Sequence, residues 1–349
     1  MVRLRTLFAV ASFLAAVVLA GCSNQASTRA GADADAPTTT ATPVTVPASI
    51  PAGTVLRVGD QLDYLKTILK VGGQDQDLPY EIEWSNFIGG PPMLQAFKGG
   101  SVDAGFVAST PLIFAQAAGQ DITAVAAWAP EHGLGGVITT DKSVTDWADL
   151  EGKRIAYQRG TSAEAAVLSG LDAAGLTVDD ITTVDVPITQ VTAALQSGSA
   201  DAGVSTEPLI SAFLKDHPEA SAPIGLDAIT DRTSLVIASR ATLDDDAKTA
   251  ALADLLTRLV RSFDEIGKNR DLVIDAIFEG QYGLEPARAK ELGTRSGVTT
   301  FLQLPGDLGP AQQKLADLFV AAGQIPREID TDREFDTRFN DLIRTETGR

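Results

Sequence analysis

Cysteine is nearly missing from this 349-residue chain. Cys22 is the only one, so no intrachain disulfide can form and no cysteine-rich metal cluster can be built. Histidine is almost as scarce. His132 sits in a Glu-His-Gly turn and His217 precedes Pro218, which leaves no histidine network for acid–base catalysis and no metal-ligand spacing. Positive charge is short as well: 28 Lys and Arg face 46 Asp and Glu, a formal charge of −18, and loss of Arg3 and Arg5 with a leader would make it −20. Such acidity speaks against nucleic acid and against a basic membrane-binding patch. Phosphate-loop and dinucleotide fingerprints are absent, and Asp244 to Asp246 lack the glycine and downstream glutamate of a calcium loop. No cofactor is expected. The chain does have 44% hydrophobic residues and length for about two packed domains.

Residues 1–21 carry Arg3 and Arg5, then an apolar run at 7–18 that is short for a membrane span. Leu19-Ala20-Gly21-Cys22 follows. It resembles the bacterial lipobox, which implies cleavage before Cys22 and lipidation of that residue. Residues 22–52 are mostly Ala, Thr, Ser, Asp and Pro, and read as a disordered tether. A lipid anchor and spacer would hold the rest of the chain at the outer face of the cell membrane.

The globular part opens with a strand at 55–59, the polar pair Asp60-Gln61, and a helix marked by Leu62, Leu65, Ile68 and Leu69. The stretch 84–119 then organises the chain. Gly89-Gly90-Pro91-Pro92 opens one helix and Ser109-Thr110-Pro111 opens another, with a short strand from Val102 between them. Helix N-termini expose free N–H groups that suit anions. The pattern recurs downstream: helix, Gly198, Asp201 strand, then Glu207-Pro208. Leu252, Leu255, Leu256, Leu259, Val260, Phe263 and Ile266 mark one buried face of a long helix.

Trp84, Phe87, Gly90, Pro91, Gly100, Val102, Asp103, Pro111 and Phe114 to Gly119 together resemble the signature of the aliphatic-sulfonate, taurine and nitrate class of ABC-transporter substrate-binding proteins. The segment Asp149 to Ala156 and the turn Arg159-Gly160-Thr161-Ser162 extend the likeness. The resemblance implies an α/β fold of the type II periplasmic-binding-protein kind: two lobes, each a mixed sheet flanked by helices, with the ligand cleft between them. Lobe one is expected at 53–140 plus 235–349, and lobe two at 141–234. It also implies a monomer that delivers a small solute, a sulfonate foremost, to an ABC transporter permease.

Candidate ligand residues are Asp60, Gln61, Phe87, Gly89, Gly90, Pro91, Ser109, Thr110, Thr161, Ser162, Glu207 and Arg232. Asp60 and Glu207 are each read either as a helix cap or as the partner of a ligand cation. The second reading favours an amino-sulfonate over a plain alkane-sulfonate. Thr206 stands where the resembling proteins often carry Trp, which should enlarge the cleft. The competing reading is an enzyme on the same scaffold, because aryl-sulfinate desulfinases resemble this class. They use a cysteine nucleophile, and the globular part has none.

Overall fold

The computed structural model describes residues 46–227 and 232–348. The expected leader, the lipidation site Cys22 and residues 22–45 of the expected tether lie outside the described residues. Residues 46–52 of that tether are not separate from the body: Val46 and Ile50 pack against its largest apolar cluster.

Eleven strands run through the described residues: β1 Val55–Gln61, β2 Glu81–Phe87, β3 Ala104–Ala108, β4 Ile122–Pro130, β5 Gly135–Thr139, β6 Arg154–Tyr157, β7 Thr182–Asp185, β8 Ala202–Thr206, β9 Ser221–Gly225, β10 Ser234–Ser239 and β11 Thr299–Leu302. The helices are α1 Tyr64–Val71, α2 Gly90–Lys98, α3 Ser109–Ala117, α4 Ser162–Ala173, α5 Val191–Gln196, α6 Leu209–Asp216, α7 Arg240–Leu243, α8 Asp246–Lys268, α9 Asp271–Val273, α10 Pro286–Arg295, α11 Leu308–Ala321 and α12 Asn340–Thr347. A π-helical stretch, Ile274–Gln281, follows α9.

Two mixed sheets result, ordered β11-β4-β10-β3-β1-β2 and β7-β6-β8-β5-β9. Each is built the same way. β1 lies parallel between β2 and β3, as β6 lies parallel between β7 and β8. An antiparallel strand from the other half of the chain order closes each: β10 beside β3, and β5 beside β8. β5 therefore belongs to the second sheet, which corrects the expectation that residues up to 140 lie in the first lobe. An isolated apolar run such as Gly135 to Thr139 carries no mark of its partner. The edge strands β7, β9 and β11 were not expected. They are four or five residues long and partly exposed, and β9 contains Pro223, which edge positions tolerate.

The repeated unit has a repeated fastening. Asp103 accepts from the backbone N–H of Arg57 (2.9 Å) and from its Nε and Nη2 (3.0 and 2.5 Å), while Arg57 Nη1 donates to the Gly100 carbonyl. Asp201 does the same with Arg154 (2.8, 3.1 and 2.6 Å), and Arg154 Nη1 reaches the Gly198 carbonyl. The acid of each Gly-Ser-x-Asp turn thus clamps the start of the central parallel strand with a bidentate charge-assisted pair. Gly59 and Gly105, partners in register, leave room for Met93 of α2. A Cβ on Gly105 would stand 2.8 Å from the Met93 sulfur. That close approach seats α2 on the sheet and fixes where its N-terminus points.

α1, α8 and the π-helical stretch cover one face of the first sheet, and α2 and α3 the other. All seven residues read as the apolar face of α8 are buried. Ile113 of α3, Leu168 of α4 and Phe319 of α11 share one further apolar cluster, which joins helices of both halves.

Candidate functional site

The parallel strands set the site. In the first sheet β1 and β3 end at Gln61 and Ala108. In the second β6 and β8 end at Tyr157 and Thr206. Residues at both sets of C-terminal ends line one cavity of about 460 Å³, the usual place for a ligand on α/β sheets.

Of the expected residues, Gln61, Gly89, Gly90, Thr161, Ser162, Glu207 and Arg232 are on the cavity wall. Asp60, Phe87, Pro91, Ser109 and Thr110 are not on it, although Ala108 and Pro111 on either side of the last two are. The N-termini of α2 and α3 carry no side-chain cap, but Pro91, Pro92 and Pro111 have no N–H, so the backbone donors of their first turns are Gly90, Ser109 and Thr110, and of these Gly90 is on the cavity wall. That of α4 is closed by its own residues: Thr161 Oγ1 accepts from Ala163, and Glu164 accepts from the Gly160 N–H. Gly90 is held by packing as well as by any ligand role. A Cβ there would stand 2.5 Å from Pro111 Cγ, so Gly90→Val would disturb the helix pair and cannot report on binding alone.

Both carboxylates read as cation partners are engaged within the protein. Asp60 is fully buried and accepts from the backbone N–H groups of Gln61, Leu65 and Lys66 at 2.7 to 3.0 Å. Burial pushes its pKa up, and those three bonds draw it part of the way back. It caps α1, which is the plainer of the two readings, and it offers no face to a ligand ammonium. Glu207 accepts from Arg288 of α10 at 2.8 Å and from the Ser211 N–H at 3.0 Å. Arg288 also donates to Ser211 Oγ, so the start of α6 is tied to α10 across the two halves. The expectation of an amino-sulfonate therefore has no free acid to rest on at either position.

Sequence reasoning missed the far wall. Beyond Gln61 the cavity runs between the first sheet and α8 and is lined by Tyr64, Phe106, Trp128, Phe263, Phe278 and Tyr282. Trp128 stacks obliquely on Phe106 and Phe263 at centroid distances of 5.7 and 5.6 Å. Phe263 had been read as core, which it also is. Arg270 was missed as well. It lines the same wall, half-buried, just past the end of α8. Its position follows from the turn into α9 and the π-helical stretch, and no local motif marks it.

The NMT1/THI5-like family model matches residues 91–252. A protein of Escherichia coli (strain K12) named as an aliphatic sulfonates-binding protein is 30% identical over 287 residues, 79% of this chain and 86% of that protein. The chain belongs to the aliphatic sulfonate-binding protein family. Solved members of this family share the fold. The alkanesulfonate-binding protein SsuA of Xanthomonas axonopodis pv. citri, bound to MOPS, is 26% identical with a TM-score of 0.72 over 83% of this chain and 99% of its own. The periplasmic aliphatic sulphonate binding protein SsuA of Escherichia coli is 26% identical with a TM-score of 0.68, covering 81% and 92%. DszB in complex with biphenyl-2-sulfinic acid has a TM-score of 0.59 at 16% identity over 83% and 99%, a likeness of fold alone. The two-lobed periplasmic-binding-protein fold expected from the sequence is the fold observed.

Proposed function

We propose that this protein is an extracytoplasmic receptor that captures a small organic sulfonate in the cavity and hands it to an ABC importer. One observation carries the reading: the charge balance of the cavity wall. Arg232 and Arg270 face it without an ion-pair partner among the described residues, and its carboxylate, Glu207, is already neutralised by Arg288. With the uncapped start of α2 at Gly90, the wall favours an anion. The relatives named for sulfonate binding support the same substrate class.

The two sheets mark two lobes, joined at residues 131–134 and again between β9 and β10. Relative motion of the lobes would admit and enclose the ligand. The apolar cluster of α3, α4 and α11 would stay closed on one side, while the Glu207–Arg288 pair would part on the other. No helix among the described residues is long and apolar enough to cross a membrane; the lipobox-like Leu19-Ala20-Gly21-Cys22 supports attachment through a lipid on Cys22. On that reading Cys22→Ala leaves the protein unprocessed or releases it from the membrane fraction. A processed variant that still fractionates with the membrane would reject the lipid anchor.

A desulfinating enzyme would need a nucleophile in the cleft, and the single cysteine is Cys22. Incubation with alkane- and aryl-sulfonates and sulfinates should raise the melting temperature and return every ligand unchanged. Release of sulfite would overturn the receptor reading.

A further inference from the structure

The aromatic end of the cavity is not a plain apolar pocket. Arg270 enters it with part of its guanidinium occupied: Nη2 donates to the Gly293 carbonyl (2.5 Å) and to Ser296 Oγ (2.8 Å). Nε and Nη1 have no hydrogen-bond partner among the described residues, and no carboxylate stands within ion-pairing distance. The acid whose field reaches it is Glu131, which is exposed. Tyr64 lies within electrostatic reach of both Arg270 and Tyr282. Neither phenol is hydrogen-bonded to another described residue, and burial raises the pKa of both, so each remains a proton donor at any physiological pH.

A half-buried cation and two phenols therefore present donors to one volume, with no protein acceptor among the described residues to receive them. Unmatched donors in an apolar wall cost stability unless a ligand completes them. Around them stand Phe106, Trp128 and Phe278, core rings whose small exposed parts make the wall apolar. Gly90 at the uncapped start of α2, Thr161 and Arg232 make a separate polar end of the same cavity, and a cavity of about 460 Å³ has room for more than a short alkane-sulfonate.

We propose that Arg270, Tyr64 and Tyr282 form a second anion subsite, so that the chain takes a ligand with two acidic ends. A sulfonate would sit between Arg232 and the start of α2, and a carboxylate or second sulfonate at Arg270, joined by a rigid apolar body that runs along the wall formed by Phe106 and Trp128. This rests on the receptor reading above and narrows its substrate class. Arg270 supplies the charge, and the two phenols fix the orientation of the second acid.

The test is calorimetry of the purified chain with two matched pairs that differ in span. These are benzenesulfonate against 4-sulfobenzoate, and naphthalene-2-sulfonate against 6-sulfo-2-naphthoate. At least one diacid should bind tenfold or more tightly than its parent. Arg270→Gln should erase that advantage, lowering the diacid's affinity at least fivefold more than it lowers the parent sulfonate's. Tyr64→Phe and Tyr282→Phe, which remove only a hydroxyl, should each shrink the advantage several-fold; melting curves would confirm that all three variants fold. Diacids no tighter than their parents, or an advantage that survives Arg270→Gln, would overturn the subsite while leaving the receptor reading intact. Loss of the parent sulfonate in Arg270→Gln would also overturn it, because Arg270 would then hold the sulfonate itself. Failure of every sulfonate to bind would overturn the receptor reading and the subsite together.

Discussion

Asp103→Asn should lower the free energy of unfolding by about 3 kcal/mol, and Asp201→Asn by about 1 kcal/mol or less. The two acids occupy the same place in the two halves and make the same hydrogen bonds to Arg57 and Arg154. They differ in what surrounds them. Asp103 is 3% exposed and also receives Lys248 Nζ at 2.8 Å, whereas Asp201 is 33% exposed and its arginine 42%. Losing the buried anion breaks two ion pairs at once, with Arg57 (35% exposed) and Lys248 (27% exposed). Removing the exposed one leaves an arginine that water can serve. Burial pushes the Asp103 pKa up, but hydrogen bonds from Arg57 and Lys248 more than offset it and hold the carboxyl below its usual range. For Asp201 the Arg154 hydrogen bonds dominate and the direction is the same. A depressed folded pKa means that the contribution is complete at neutral pH and is lost as pH falls through that pKa. Urea unfolding of both variants at pH 7 compares them. Equal losses, or a larger one at Asp201, would show that burial does not set the strength of these clamps.

Glu334→Gln should stabilise the chain in alkaline solution by several kcal/mol, on the order of the cost of holding a buried carboxylate. Glu334 is 1% exposed, and burial raises its pKa to about 8, opposed only by a hydrogen bond from Gln312 Nε2 at 2.7 Å. Its Oε1 and the Oε1 of Gln312 are both buried without a partner. A proton on the carboxyl would provide the donor that this pair of oxygens lacks, and the glutamine amide would provide it at every pH. The sign follows from the raised value. The favourable contribution is whole below the unfolded-state pKa near 4.5 and is lost as pH rises toward and through about 8. Wild type should therefore lose stability between pH 5.5 and pH 9, and Glu334→Gln should lose much less. Parallel slopes for the two proteins would mean that Glu334 ionises freely in the folded chain.

Patterns local in sequence were legible, and pairings across it were not. The α8 face was readable because seven apolar residues recur on one side of a helix. The duplicated unit was readable because Gly100 and Asp103 recur as Gly198 and Asp201. Its meaning was not, since the partners Arg57 and Arg154 lie 46 and 47 residues earlier and meet the acids only when strands pair in parallel. The same limit misplaced β5, whose neighbours β8 and β9 come more than sixty residues later. Asp60 stands near the end of β1, shortly before α1, so its capping role was one of two visible choices, and only the fold chose between them. Glu207 gave no hint of Arg288, which reaches it from another helix. Arg270 and the aromatic wall were hidden for a further reason. Side chains that line a cavity beside a core look, in sequence, like the core itself.

A matched titration tests the proposed anion site in the cavity most directly. Calorimetry of the purified chain with hexane-1-sulfonate and with hexylammonium holds the apolar tail constant and reverses the charge. The sulfonate should bind at least tenfold more tightly, with Arg232 and the uncapped start of α2 at Gly90 facing its head. Equal or tighter binding of the ammonium, or no binding of the sulfonate, would contradict the sulfonate-receptor assignment.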